Sequence, residues 1–199
     1  MNKKIAIIGA GGHGKVVGEI ALLNEYNIID FFDDQMNEIK NFPFKIIGSI
    51  EFLKKNLKLY DNFFVAIGNN KERYNFISWL KKEKTNIVNL VHPKSTVSQF
   101  SSLEAGSCVM ANAAINAGTI IKEGVIINTS SSIDHDCQIE DYVHISPNCT
   151  LSGNVSVGKF THLGTGTSVH PKINIGQNVK TGIGSKIYKD IFDNKIFIN

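Results

Sequence analysis

From residue 91 to residue 187 an aliphatic side chain recurs at every sixth position. The leading positions run Val91, Val97, Leu103, Val109, Ile115, Ile121, Ile127, Ile133, Ile139, Ile145, Leu151, Val157, Leu163, Val169, Ile175, Thr181 and Ile187, so sixteen of seventeen are aliphatic. Four residues after each leader stands a small or β-branched residue, among them Ala113, Thr119, Ser131, Cys137, Cys149 and Thr161. An amphipathic helix repeats near ~3.6 and a half-buried strand near ~2, so neither accounts for this pattern. A period of six fits a short strand plus a turn, with three such units closing a triangular coil of eighteen residues. The leader then points into the prism and the small residue fills its corner. At a coil spacing of ~4.8 Å, roughly five coils make a rod about 25 Å long.

The first half of the chain has a different texture. Lys4-Ile5-Ala6-Ile7-Ile8 reads as a buried parallel strand, followed by Gly9-Ala10-Gly11-Gly12-His13-Gly14 and a helical stretch from Lys15 to Asn24. That is GxGxxG between strand and helix, a turn whose missing Cβ atoms let a phosphate or ribose approach backbone N–H groups. A second strand, Ile28 to Phe32, ends at Asp33-Asp34, and a third, Phe63 to Ile67, ends at Gly68-Asn69-Asn70. In an open parallel sheet the strand C-termini line one crevice, so the three polar clusters converge on one ligand. Only half of a dinucleotide fold fits before the repeats, which favours a mononucleotide-type ligand over NAD. Asp33 suits a ribose hydroxyl or an amine. Arg73 is placed either to meet a diphosphate or to stand as a solvated helix charge. The expected domains are residues 1–88 and 89–199.

Composition narrows the field little. A formal charge of +3 is too weak for nucleic-acid binding, yet it does not repel nucleotides or CoA. Cys108, Cys137 and Cys149 are odd in number and lack ligand spacing, so small buried thiols are expected, with neither disulfide framework nor metal site. No apolar run approaches the ~20 residues of a membrane span, and the N-terminus leads straight into a strand; a cytoplasmic protein without membrane contact is expected.

The repeats also carry the chemistry. His135 lies between Asp134 and Asp136, which gives an imidazole base a carboxylate to fix its tautomer. Either acid is in reach. His162 follows His144 by eighteen residues, so the two stack on adjacent coils.

The glycine-rich module, Asn128 to Cys137 (NTSSSIDHDC) and Val143-His144-Ile145-Ser146-Pro147 together resemble the sialic-acid O-acetyltransferases and nucleotide-amino-sugar N-acetyltransferases, hexapeptide-repeat acyltransferases. The resemblance covers nearly the whole chain. It implies an α/β Rossmann-like half-domain with a parallel sheet, followed by a left-handed parallel β-helix. It further implies acetyl-CoA as co-substrate and a homotrimer with intersubunit active sites. Within it, His135 is the general base with Asp136 beside it. Asn128, His144, Gly153, Thr165, Gly182 and Gly184 fall at acetyl-CoA, and Gly11, Gly12, His13, Asp33, Asp34, Gly68 and Asn69 at the nucleotide sugar. Relatives commonly finish with a Gly-x-Pro-Ala-Lys segment absent here, and Lys180, Lys186 and Lys189 are candidates for CoA phosphates. The function implied is direct N-acetylation of the 4-amino group of a nucleotide-linked sugar, with UDP the expected nucleotide, in bacterial surface glycan synthesis. The alternatives are O-acetylation of sialic or related nonulosonic acids, a non-catalytic trimeric sugar-nucleotide-binding protein and, more distantly, an NAD-dependent oxidoreductase.

Overall fold

The computed structural model describes residues 3–35 and 38–198 and divides the chain into two compact units, residues 1–90 and 91–199.

The first unit is a four-stranded sheet, β1 (Lys4–Ile8), β2 (Ile28–Phe32), β3 (Lys45–Gly48) and β4 (Asn62–Val65), in the order β3-β2-β1-β4. All three pairings are parallel. Helices α1 (Gly12–Leu23), α2 (Ile50–Lys55) and α3 (Asn70–Lys82) connect or follow the strands. β1 is almost wholly apolar because a central parallel strand is covered on both faces; Ile5, Ala6, Ile7 and Ile8 are at most 1% exposed. Two features differ from the sequence expectation. α1 begins at Gly12 rather than Lys15, so half of the glycine motif forms its first turn. β3 and α2 come from a Phe- and Lys-rich stretch whose strand is only four residues long, too short for periodicity to mark it.

The second unit is a three-faced prism. Each hexad contributes a two-residue strand ending on the leader, and strands pair with those eighteen residues away: Ile126–Ile127 with His144–Ile145, Ser132–Ile133 with Thr150–Leu151, Gln138–Ile139 with Ser156–Val157. The leaders from Val109 to Val169 are buried, and each contributes about 1.5–3 kcal/mol of apolar burial. The small positions fill the corners, where Ser107, Thr119, Ser131 and Thr161 are buried and donate hydroxyl hydrogen bonds to backbone carbonyls. Those bonds satisfy the polar atoms that the interior would otherwise strand. Residues after 187 extend the prism: Ile196–Phe197 pairs with Lys180–Thr181, and Ile191 bridges Ile175.

Candidate functional site

Each unit carries its own set of candidate residues. In the first, the ends of β1, β2 and β4 surround a pocket of about 530 Å³ lined by Gly11, Gly12, His13, Asp33, Asp34, Gly68 and Glu72 among others. Parallel strands that end together bring these segments together. The glycines divide by purpose. Gly9 has φ +103° and no room for a Cβ against the Ala66 carbonyl, and Gly14 packs on Gly9, so both are needed by the turn itself. Gly11, Gly12 and Gly68 face open space instead.

The carboxylates of the pocket are partly committed. Asp33 accepts from the N–H of Ala10 (2.8 Å) and of Gln35 (2.9 Å), tying the glycine turn to the end of β2, while Asp34 accepts from Ile50 N–H at the start of α2 (2.9 Å). Asn69 caps α3, accepting from the N–H groups of Lys71 and Glu72, and is not among the residues lining the pocket. His13 Nε2 is buried and meets no hydrogen-bond partner among the described residues. Burial first, and the nearby positive charge of Arg73 second, bring the His13 pKa down to about 4. Arg73 itself is fully buried, donating to the carbonyls of Ile67 and Gly68 and to Asn70 Oδ1. It is no solvated helix charge, because its guanidinium closes the loop between β4 and α3.

In the prism, His135 and its acids sit on the edge formed by residues 134–137 and its neighbours eighteen residues either way. His135 Nδ1 lies 2.8 Å from Asp136 Oδ2, and Asp134 accepts instead from the His135 backbone N–H (2.8 Å) and from Asn116 Nδ2 (2.9 Å). A carboxylate has no proton to give at neutral pH, so Nδ1–H donates and Nε2 carries the lone pair. Asp136 occupies the left-handed turn position with φ +58°, a conformation a short polar side chain tolerates. The His135 pKa is raised, chiefly by the Asp136 bond and then by the Asp134 charge. Asn116 and Gly118, which frame the two acids one coil earlier, escaped sequence reading; their signal is the eighteen-residue offset from Asp134 and Asp136.

The expected cofactor residues fall mostly on the preceding edge. Asn128 Nδ2 lies 3.3 Å from His144 Nε2, and one coil on Ser146 Oγ lies 2.9 Å from His162 Nε2. The two imidazoles stack with centroids 4.4 Å apart and planes 7° from parallel. Thr165, Gly182 and Gly184 continue the same edge, with Gly184 N–H bonded to the Thr165 carbonyl. Gly153 stands apart from this set: it lies against His135 on the following edge. Among the described residues no cluster of His, Cys, Asp and Glu could hold a metal ion, and no helix is long and apolar enough to cross a membrane.

A model described as the PglD N-terminal domain matches residues 4–80, and one described as bacterial transferase hexapeptide (six repeats) matches residues 118–153. Over its full length the chain superposes on the acetyltransferase domain of PglB from Neisseria gonorrhoeae, solved in complex with acetyl coenzyme A. The TM-score is 0.95, the identity 38%, and 97% of that chain is covered. The chain belongs to the hexapeptide-repeat acetyltransferases that carry a PglD-type N-terminal domain. The prism is accordingly the left-handed parallel β-helix of this family, and the first unit its Rossmann-like partner. Another member, PerB from Caulobacter crescentus, solved with CoA and GDP-perosamine, superposes with a TM-score of 0.93 at 32% identity, covering 100% of this chain and 95% of that one. The UDP-N-acetylbacillosamine N-acetyltransferase of Bacillus subtilis is 37% identical over 112 residues, 55% of this chain and 52% of the relative. The GDP-perosamine N-acetyltransferase of Escherichia coli O157:H7 is 30% identical over 151 residues, so the chain's matches span 52% to 66% of the length of these two curated relatives.

Proposed function

We propose that the protein is an acetyl-CoA-dependent N-acetyltransferase acting on the 4-amino group of a nucleotide-linked deoxysugar, with UDP the preferred nucleotide. The observation that carries the reading is the His135–Asp136 pair at 2.8 Å, an imidazole with its lone pair on Nε2 at an exposed edge. The first unit supplies the sugar-nucleotide pocket. His135 Nε2 takes the proton as the amine nitrogen bonds to the acetyl carbon; the C–S bond breaks and the sulfur leaves as CoA, receiving the proton from His135. Cys137 and Cys149 are buried with raised pKa values, so no thiol offers itself as a covalent carrier, and direct transfer follows.

Cofactor binding and assembly rest on the family and on placement. The Asn128–His144 group, with Thr165, Gly182 and Gly184, binds acetyl-CoA. Because this group and His135 occupy different edges of one prism, a site using both is completed by a second copy, which supports a homotrimer with intersubunit sites. The UDP preference draws on the Bacillus relative, while the Caulobacter neighbour makes GDP the competitor.

The test is release of CoA from acetyl-CoA in the presence of UDP-, dTDP- or GDP-linked 4-amino sugars or free sialic acid. Saturable turnover with the UDP sugar, abolished in His135→Ala, is the expected result. Turnover confined to sialic acid replaces the reading with O-acetylation, and turnover confined to the GDP sugar replaces the nucleotide. Binding of a nucleotide sugar with no turnover of any acceptor leaves a binding protein.

A further inference from the structure

The loop from Ile67 to Asn69 has an uncommon arrangement. Both of its consecutive carbonyls, Ile67 O at 2.9 Å and Gly68 O at 3.1 Å, are held by one nitrogen of a guanidinium with no solvent exposure. The other terminal nitrogen is fixed by Asn70 Oδ1 at 2.9 Å, so the fork cannot swivel. The peptides are trans, and in a trans peptide the N–H points opposite to the C=O across the same bond. Pinning the Ile67 and Gly68 carbonyls inward therefore turns the Gly68 and Asn69 N–H groups outward. Among the described residues neither N–H meets an acceptor. On the outward side of Gly68 lies the pocket: Ile67 and Gly68 line it, Asn69 being the next residue along the chain and not itself part of the lining, and a Cβ on Gly68 would touch nothing within 4 Å. The same pocket is lined by the start of α1, where Gly12 and His13 follow an N-cap, Gly11, that makes no side-chain capping bond.

Two consecutive free N–H groups form an anion nest, and a buried cation behind them strengthens it through a low-dielectric wall. We propose that Arg73 is the positioning residue of a diphosphate subsite: by holding the Ile67 and Gly68 carbonyls it presents the Gly68 N–H at the pocket wall, and beside it the Asn69 N–H, to the diphosphate oxygens of the nucleotide sugar. Arg73 touches no substrate in this scheme. Burial, helped by the same guanidinium, keeps His13 uncharged, so backbone dipoles rather than a side-chain cation meet the anion. The inference rests on the reading of this pocket as the sugar-nucleotide site.

The experiment compares UDP with uridine, which lacks the diphosphate, by calorimetry on the full chain. In Arg73→Lys, whose single ammonium cannot reproduce the fork, UDP affinity falls on the order of tenfold while uridine affinity holds. Unchanged UDP affinity, or an equal fall for uridine, overturns the proposal. Should Arg73→Lys fail to fold, amide spectra of the wild-type protein decide: UDP shifts the Gly68 and Asn69 N–H signals and uridine does not, whereas no shift with UDP overturns it. If the wild-type protein binds neither UDP nor GDP, the sugar-nucleotide reading itself falls and the subsite with it. UDP binding that ignores Arg73 sinks the subsite alone.

Discussion

The imidazole of His135 occupies the place where a Cβ on Gly153 would stand. Built onto Gly153, that atom would lie 2.5 Å from His135 Nε2 and 2.6 Å from Cε1. Gly153 follows His135 by one coil and is itself buried, so the β-helix stacks an empty position against the ring. The absence of a side chain there makes room for the Nε2 edge of the ring, whose other nitrogen is held by Asp136.

Gly153→Ala should accordingly displace the imidazole without unfolding the prism, since the clash is with one exposed side chain and not with the ladder. The expected outcome is a loss of kcat of about 10²-fold with a thermal transition close to wild type. Steady-state kinetics beside a calorimetric melt check it. Full kcat in Gly153→Ala would show that the ring's position on Gly153 is immaterial to turnover.

The two acids beside His135 should separate in a pH profile. Only neutral imidazole accepts a proton, so kcat/KM rises with pH through the His135 pKa, which lies above its ordinary 6.5. Asp136→Asn removes the main cause of the rise and must move the acidic limb to lower pH, with a loss of kcat because the tautomer is no longer held. Asp134→Asn moves the limb the same way by a smaller step, and spares most of kcat because Asp134 binds the backbone N–H of His135 and not its ring. A limb that stays in place in both variants would mean that another group limits the reaction.

The hexad register was legible in the sequence because burial imposes it twice per unit, at the leader and at the corner. Stacking at eighteen residues followed from it, and with it the meeting of His144 and His162. What sequence could not show is which neighbour each polar atom chooses. Asp134 and Asp136 are equally near His135 along the chain, yet the left-handed backbone at Asp136 turns its carboxylate to the ring while Asp134 turns to Asn116. For Arg73 the sequence leaves a diphosphate contact and a solvated helix charge both open; its burial depends on carbonyls from a loop whose shape no local pattern encodes. β3 was invisible for a related reason, a four-residue edge strand having too few positions to display a period.

The cysteines should be silent toward thiol reagents in the native protein. Cys108, Cys137 and Cys149 are all buried, and burial pushes the Cys149 thiol up to about 11 and raises that of Cys137. At pH 8 a disulfide reagent should find no reactive thiol in the folded chain and three after denaturation. The measurement also validates detection of released CoA, since any prompt protein thiol would appear as false turnover.

His162 should govern acetyl-CoA affinity through His144. Its ring lies parallel to that of His144 at 4.4 Å, and its Nε2 is anchored by Ser146, repeating one coil on the contact between His144 and Asn128. A stacked and anchored neighbour restricts the tilt of the His144 ring, and orientation of that ring is what a thioester beside it would sense. His162→Ala should raise the KM for acetyl-CoA by about 3- to 10-fold, with the KM for the nucleotide sugar unchanged and the His135 limb of the pH profile in place. His162→Phe retains the stacking face and should recover most of the loss. Recovery by Phe would assign the effect to the stack, and failure of Phe to recover would assign it to the Ser146 hydrogen bond. An unchanged acetyl-CoA KM in His162→Ala, alongside a raised one in His144→Ala, would make the second imidazole a bystander.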